Sequence, residues 1–331
     1  MRPTFSDFFK SFYYSNTYVP AVDLSEQGVS RYLIGQEYPE AAIVTQRLIS
    51  ALEVQQVLSE PLTYDFAEVS RRNAILERYG FKLLSSKRDP ATGQSGPFYS
   101  VIEHEDLPGW IIKSGASRGP KGQLLLGPAN DRNERAFFTD EDALLRIEMA
   151  NRVQQVAREA NIEVVVPKKK LVAYSNLNGT TEPTRKYCVA WEKIAILSAT
   201  DTVQAIKDMD AKHQKEIARK LSLLVQQAGL VDASFQNIRL TRADGTLAFI
   251  DTEPIGLMVV KKSGLWNSFF GSKGASVEKC ARIGLFTLMQ HSMRCGLNLT
   301  AFCTEVESQY EKVPTPKLSK WKIALSILSI G

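Results

Sequence analysis

Apolar side chains at the start of the chain recur at helical spacing. Phe5, Phe8, Phe9 and Phe12 fall at i, i+3, i+4 and i+7, which puts four rings on one helical stripe. Such a stripe docks onto the body of the protein or, as the sharper alternative, offers a face to a membrane or a partner. Helical patterning continues over residues 41–59, with Pro61 as a stop, and over 66–79, ending at Gly80. Residues 1–80 are therefore expected to form a helical extension. From Phe81 the period shortens. Residues 81–84, 97–102 and 110–113 are short β-type runs separated by Gly, Pro and charged residues, and they predict three antiparallel strands. A Gly-rich connection over 115–127 leads to a long helical stretch at 140–160, whose apolar face carries Ala143, Ile147, Ala150, Val153 and Ala157. Strand candidates at 162–166, 170–174 and 186–191 follow. Beyond Glu192 the pattern is helical over 202–229 and 276–296, with a short strand pair between them.

That strand pair holds the residues with the clearest chemistry. Asp244-Gly245 marks a hairpin turn between the apolar runs 237–240 and 246–251. The hairpin brings Asn237 and Asp251 to adjacent open ends, and Asp232 lies five positions before Asn237 on the loop leaving a helix. Three polar side chains at one edge of an apolar scaffold suit a metal and phosphate site.

The stretch from Gly229 to Leu240, continued by Leu247 to Glu253, resembles the protein-kinase-like superfamily. It has the catalytic-loop form D-x-x-x-x-N at Asp232 and Asn237, then a hairpin, then the Asp that normally opens a D-F-G triplet at Asp251. Ile250-Asp251-Thr252-Glu253 is closer to the I-D-x-E style of small-molecule kinases such as choline or fructosamine kinases. Upstream, Trp110-Ile111-Ile112-Lys113 is similar to the V-A-I-K strand. The resemblance implies an α+β, bilobal fold: an antiparallel five-stranded N-lobe at 81–192, a mainly helical C-lobe at 193–331, and the extension at 1–80. It implies that Lys113 holds ATP phosphates, that Glu148 of the long helix pairs with Lys113, and that 189–192 is the interlobe hinge, where Ala190 and Glu192 meet an adenine edge. Asp232 would be the base for an acceptor hydroxyl, and Asn237 and Asp251 the Mg²⁺ ligands. Leu230-Val231 in place of His-Arg, Ser234 in place of Lys, and Thr252-Glu253 in place of Phe-Gly motivate the alternative of a pseudokinase, a nucleotide-binding or partner-binding scaffold without turnover.

Composition adds exclusions. The 331 residues carry 41 Lys+Arg against 36 Asp+Glu, a net charge of +5, too mild and dispersed to predict a nucleic-acid partner. Cys188, Cys280, Cys295 and Cys303 lack CxxC spacing and suit reduced thiols. No secretory signal or membrane-spanning run is evident, so a cytoplasmic protein is expected, with signal-less export or peripheral membrane contact left open. The expected partners are a nucleotide and a protein or small-molecule acceptor. His104, His213 and His291 have no metal-type spacing and read as solvated or locally satisfied imidazoles. Gly93-Gln94-Ser95-Gly96 departs from a G-x-G-x-x-G loop, and 115–122 departs from a Walker phosphate loop, with Pro120 removing an amide donor. The basic runs 168–170 and 261–262 read as solvated turns.

Overall fold

The computed structural model describes residues 26–59, 65–88, 95–113, 140–176, 184–230, 232–252 and 277–313. The Phe5–Phe12 stripe, Gly93 and Gln94, the connection at 115–127, Glu253 and the basic run 261–262 lie outside the described residues.

The chain starts with α1 (Glu26–Ser30), a 3-10 turn (Ile34–Gln36), α2 (Pro39–Ile49), α3 (Leu52–Ser59) and α4 (Phe66–Arg78). Asp65 caps α4 by accepting from Ala67 N at 3.0 Å, and Gly80, at φ +81°, ends it. A five-stranded antiparallel sheet follows, built from β1 (Lys82–Arg88), β2 (Ser95–Glu103), β3 (Trp110–Lys113), β5 (Lys169–Asn176) and β6 (Thr184–Glu192) in the order β1-β2-β3-β6-β5. Between β3 and β5 the chain forms α5 (Asp140–Glu159) and β4 (Val164–Val165). The second half holds α6 (Ala199–Asp208), α7 (Ala211–Ala228), β7 (Ile238–Leu240), β8 (Leu247–Phe249), α8 (Val277–Arg294) and α9 (Ala301–Lys312). β4 leaves the large sheet and joins β8 in parallel, giving a second sheet β4-β8-β7. The molecule is thus α+β with one antiparallel five-stranded sheet and several helices.

The sheet is covered on both faces because its strands are apolar on both. On one side Phe98, Ile102, Ile112, Val172, Cys188 and Ala190 form one buried cluster with Ile49, Val54, Leu58, Val69 and Leu76 of the N-terminal helices. On the other, Leu171, Val189 and Trp191 pack on Ala143, Leu144 and Ile147 of α5. Further along, α5 turns Met149, Val153 and Val156 into the third cluster, shared with α7, α8 and α9. One helix therefore belongs to both halves, and all five apolar positions read for its inner face are buried. The free edge of β5 is closed by residues 32–33, with Leu171 N donating to Tyr32 O at 2.8 Å.

Two helical stretches divide where the sequence offered one. Residues 202–229 split into α6 and α7 because Asp210 caps α7, accepting from Lys212 N and His213 N at 2.9 Å each. Residues 41–59 split at Ser50, the C-terminal cap of α2.

Candidate active site

Strand alternation sets the site. Ile111, Trp191 and Lys169 stand opposite one another across β3, β6 and β5, and the next row on the same face is Lys113, Val189 and Leu171. Lys113 and Lys169 therefore flank Trp191 on the face that packs against α5. Their ammonium groups lie 5.1 and 4.9 Å from the Trp191 ring centroid, and the Arg146 guanidinium of α5 lies 5.9 Å from it.

The opposing side chains come from the β7–β8 hairpin. Ile238 pairs with Phe249 and Leu240 with Leu247, so Asn237 and Asp251 do fall at adjacent ends. The Asn237 carbonyl accepts from Ile250 N at 2.9 Å, and the Asn237 amide donates to the Asp232 carbonyl at 3.2 Å. Phe235, fully buried against Phe302 with centroids 5.9 Å apart, anchors the loop between them.

Sheet and hairpin meet at one ion pair. Lys113 Nζ donates to Asp251 Oδ2 at 2.6 Å, across 138 positions of sequence, with side chains 14 and 12% exposed. Beside it, Lys169 Nζ donates to Thr252 Oγ1 at 2.7 Å, and Thr252 Oγ1 donates to the Arg146 carbonyl at 2.7 Å. Burial pulls the Lys113 ammonium down to about 8, helped by Arg146 and opposed by Asp251. Burial likewise brings Lys169 to about 7. Burial alone would raise the Asp251 carboxyl, but Lys113, Arg146 and Lys169 together hold it below the usual range. Asp232 moves the other way: burial raises it, Asn237 opposes the rise, and the Asp251 charge adds to it. Two nearby carboxyls with opposite shifts can divide labour, one staying ionised and one accepting a proton.

Lys113, Asp232, Asn237 and Asp251 are thus brought together. Glu148 is not: it is half-buried on α5, and among the described residues no ion pair joins it to Lys113. The α5 side chain that reaches the cluster is Arg146, which is 2% exposed. Ala190 and Glu192 also differ from the expected hinge. They lie inside β6 between β3 and β5, so the backbone groups of Ala190 are taken up by the ladders, and Glu192 N donates to Lys168 O at 2.9 Å. The chain leaves the sheet only at Lys193 and crosses to the second sheet through Leu197, whose N donates to Leu240 O at 2.8 Å.

Pattern reading missed four participants. Lys169, read as part of a solvated basic turn, is 4% exposed. Arg146, Thr252 and the Trp191 ring were not identified as chemistry. His291 of α8 is half-buried, its Nδ1 has no hydrogen-bond partner among the described residues, and burial lowers it while the nearby Asp232 charge raises it. His104 and His213 are locally satisfied, by the Tyr79 carbonyl at 3.2 Å and the Asp210 carboxylate at 2.6 Å. Cys188, Cys295 and Cys303 are free thiols.

Among the described residues the buried Asp251 Oδ1 has no hydrogen-bond partner, so one lone-pair face of this carboxylate is unused there. Among the described residues no group of three or more His, Cys, Asp and Glu side chains could hold a metal. Among the described residues no helix is long and apolar enough to cross a membrane. No protein-family model matches the chain, and no curated protein matches it.

Proposed function

We propose that the chain is an ATP- and Mg²⁺-dependent phosphotransferase of the protein-kinase-like superfamily, two-lobed, acting on a hydroxyl of a protein or small molecule in the cytoplasm. The observation that carries this reading is the 2.6 Å contact between Lys113 on the sheet and Asp251 at the hairpin end, with Asp232 and Asn237 beside it. A cation from the strand-rich half and acidic or amide oxygens from the helical half are what a triphosphate and its metal require.

Lys113 holds phosphate oxygens in this reading. Asp251 and Asn237 would hold the Mg²⁺, which supplies charge neutralisation at the transferred phosphoryl group. Asp232, its carboxyl raised by burial, orients the acceptor hydroxyl and takes its proton. Phosphoryl transfer asks little covalent work of the protein, so positioning by the anchored 232–237 loop is its main contribution.

The test is transfer from γ-labelled ATP in Mg²⁺. Turnover is expected in the wild type and a loss of at least a hundredfold in Asp251→Asn, assayed at a temperature where circular dichroism shows the variant folded, because taking the carboxylate from buried Lys113 lowers its melting temperature. Full turnover in that variant would sink the assignment.

Arg146 favours a second reading, the pseudokinase. It puts a cation where the family's helix offers an acid to the strand Lys. An ATP-dependent rise in melting temperature without transfer would select it, because ligand linkage stabilises without chemistry.

A further inference from the structure

The Trp191 indole Nε1 is a buried donor with no acceptor among the described residues. Its neighbour Lys169 is 4% exposed, and the one hydrogen bond it makes among the described residues goes to the neutral hydroxyl of Thr252. Burying an ammonium that hydrogen-bonds only to a neutral hydroxyl is costly, even with the Asp251 charge nearby, and so is burying an unpaired N–H. Both costs fall around one ring, the Trp191 indole, which Lys113 also approaches at 5.1 Å from its centroid. The groups that would be missing there are acceptor atoms carrying negative charge. Asp251, the carboxylate at the cluster, is engaged by Lys113 through Oδ2 and does not hydrogen-bond to Lys169.

We propose that Lys169 and the Trp191 indole N–H extend the Lys113 site into a cradle that binds a polyphosphate chain without a divalent cation. The inference rests on the nucleotide reading of the same site and deepens it. In that reading Lys113 and a metal share the phosphates; here a second lysine on the same sheet face, in the row next to Lys113, takes over part of the neutralisation. Lysine acts on phosphate as a compact point charge, and the indole adds a directed donor. Arg146 brings a third positive charge to the same ring. Lys169 also lines a cavity of about 330 Å³ between α5 and the start of β5, where Arg31, Lys168 and Lys170 contribute further cations against Glu37. The approach to Lys169 is therefore positively charged, which favours capture of an anion.

Calorimetric titration of the full chain with inorganic tripolyphosphate, and with ATP, in EDTA and then in Mg²⁺ tests this. The wild type is expected to bind tripolyphosphate in EDTA. Lys169→Met should weaken that binding at least tenfold while the ligand-free melting temperature stays level or rises, since the substitution removes a buried charge. Lys169→Arg should retain most of the affinity. Lys169→Gln serves if the Met variant does not fold. Binding of tripolyphosphate in Mg²⁺ alone, or unchanged metal-free affinity in both Lys169→Met and Lys169→Gln, overturns the cradle. The two readings separate cleanly: Mg-dependent transfer without metal-free binding removes only the cradle, and metal-free binding without transfer removes only the phosphotransferase. No binding in either buffer removes both.

Discussion

Lys169 carries a charge that its surroundings oppose. Burial lowers the ammonium to about 7, with Arg146 and Lys113 adding to the fall and Asp251 resisting it. The consequence for stability has a definite sign. Below about pH 7 the group is charged in both folded and unfolded chains, and the cost of burying it is constant. Between there and the unfolded value near 10.4, the folded chain releases the proton and the unfolded chain keeps it, so stability climbs with pH, at most ~1.4 kcal/mol per unit. Lys169→Met lacks this slope. Urea midpoints at pH 7, 8 and 9 should show the variant more stable than the wild type at pH 7 and the gap closing upward. Parallel pH profiles would refute the buried ammonium. Lys113, lowered to about 8, contributes its own slope, and because its charge and that of Lys169 repel, Lys113→Met alone and the double variant complete the comparison.

The same residue shows where pattern reading stops. Asp232, Asn237 and Asp251 were legible because a D-G hairpin fixes which residues end up side by side. Lys169 was not, because three consecutive lysines look solvated and the strand was read from 170. Had it been started one residue earlier, alternation would have put Lys169 on the face of Leu171, which is fully buried. Arg146 lies on a helix whose inner face was read correctly from its apolar positions, and a charge on that face becomes visible only once a sheet with Trp191 packs against it.

At the level of elements, the approach of α8 to the end of α7 holds the 232–237 loop in place. α7 ends at Gly229 in the left-handed region, φ +71°, where Gly229 N and Leu230 N both donate to Val225 O at 3.1 Å. The Leu230 carbonyl then faces α8 at Gly284. A Cβ on Gly284 would sit 1.8 Å from that oxygen and 2.6 Å from Val225 Cγ1, and neither the backbone nor a fully buried valine can retreat cheaply. Gly284→Ala should therefore cost ~3 kcal/mol or more, at the upper end of overpacking penalties. Because the displaced segment is the one that carries Asp232, any ATP-dependent stabilisation should fall as well. Gly96→Ala in β2, where a Cβ meets nothing within 4 Å, is the control and should shift the urea midpoint little. A Gly284→Ala protein as stable as the control would mean that α8 does not approach this closely.

Most elements between residues 39 and 294 were readable, their limits less so, while the short α1 and the 3-10 turn, and the C-terminal α9, were not read. β3 and α5 stand where spacing put them, within a residue, because each has a single strong period. Of the expected 189–192 hinge, residues 189–191 are strand interior and Glu192 ends the strand, because the apolar run continues to Trp191; only the pairing of β6 with two neighbours reveals that its backbone is occupied. β4 was read as one more strand of a series. Its parallel pairing with β8 is a long-range contact with no local signature.

The whole molecule depends on its first 80 residues more than an extension would suggest. β2, β3 and β6 turn Phe98, Ile102, Ile112, Cys188 and Ala190 away from α5, and every one is at most 1% exposed because the N-terminal helices lie over them. Polar ties add register: Lys170 pairs with Glu37, Lys168 Nζ donates to Tyr38 Oη at 2.8 Å, and Arg72 Nη1 donates to Tyr99 Oη at 2.9 Å. Removing residues 1–80 would open an apolar sheet face and uncover the β5 edge, both of which drive association. A chain starting at Phe81 is therefore expected to aggregate or to lose its cooperative transition, as read by sedimentation, dye binding and thermal melting. Recovery of a monomeric fragment that melts cooperatively would show instead that the sheet and the helical half form a self-sufficient unit. It would also show that the N-terminal helices are an accessory cover. The first outcome ties the Lys113 and Trp191 face of the sheet to the N-terminal helices through β3 and β6, since Lys113 and Trp191 alternate along them with Ile112 and Ala190.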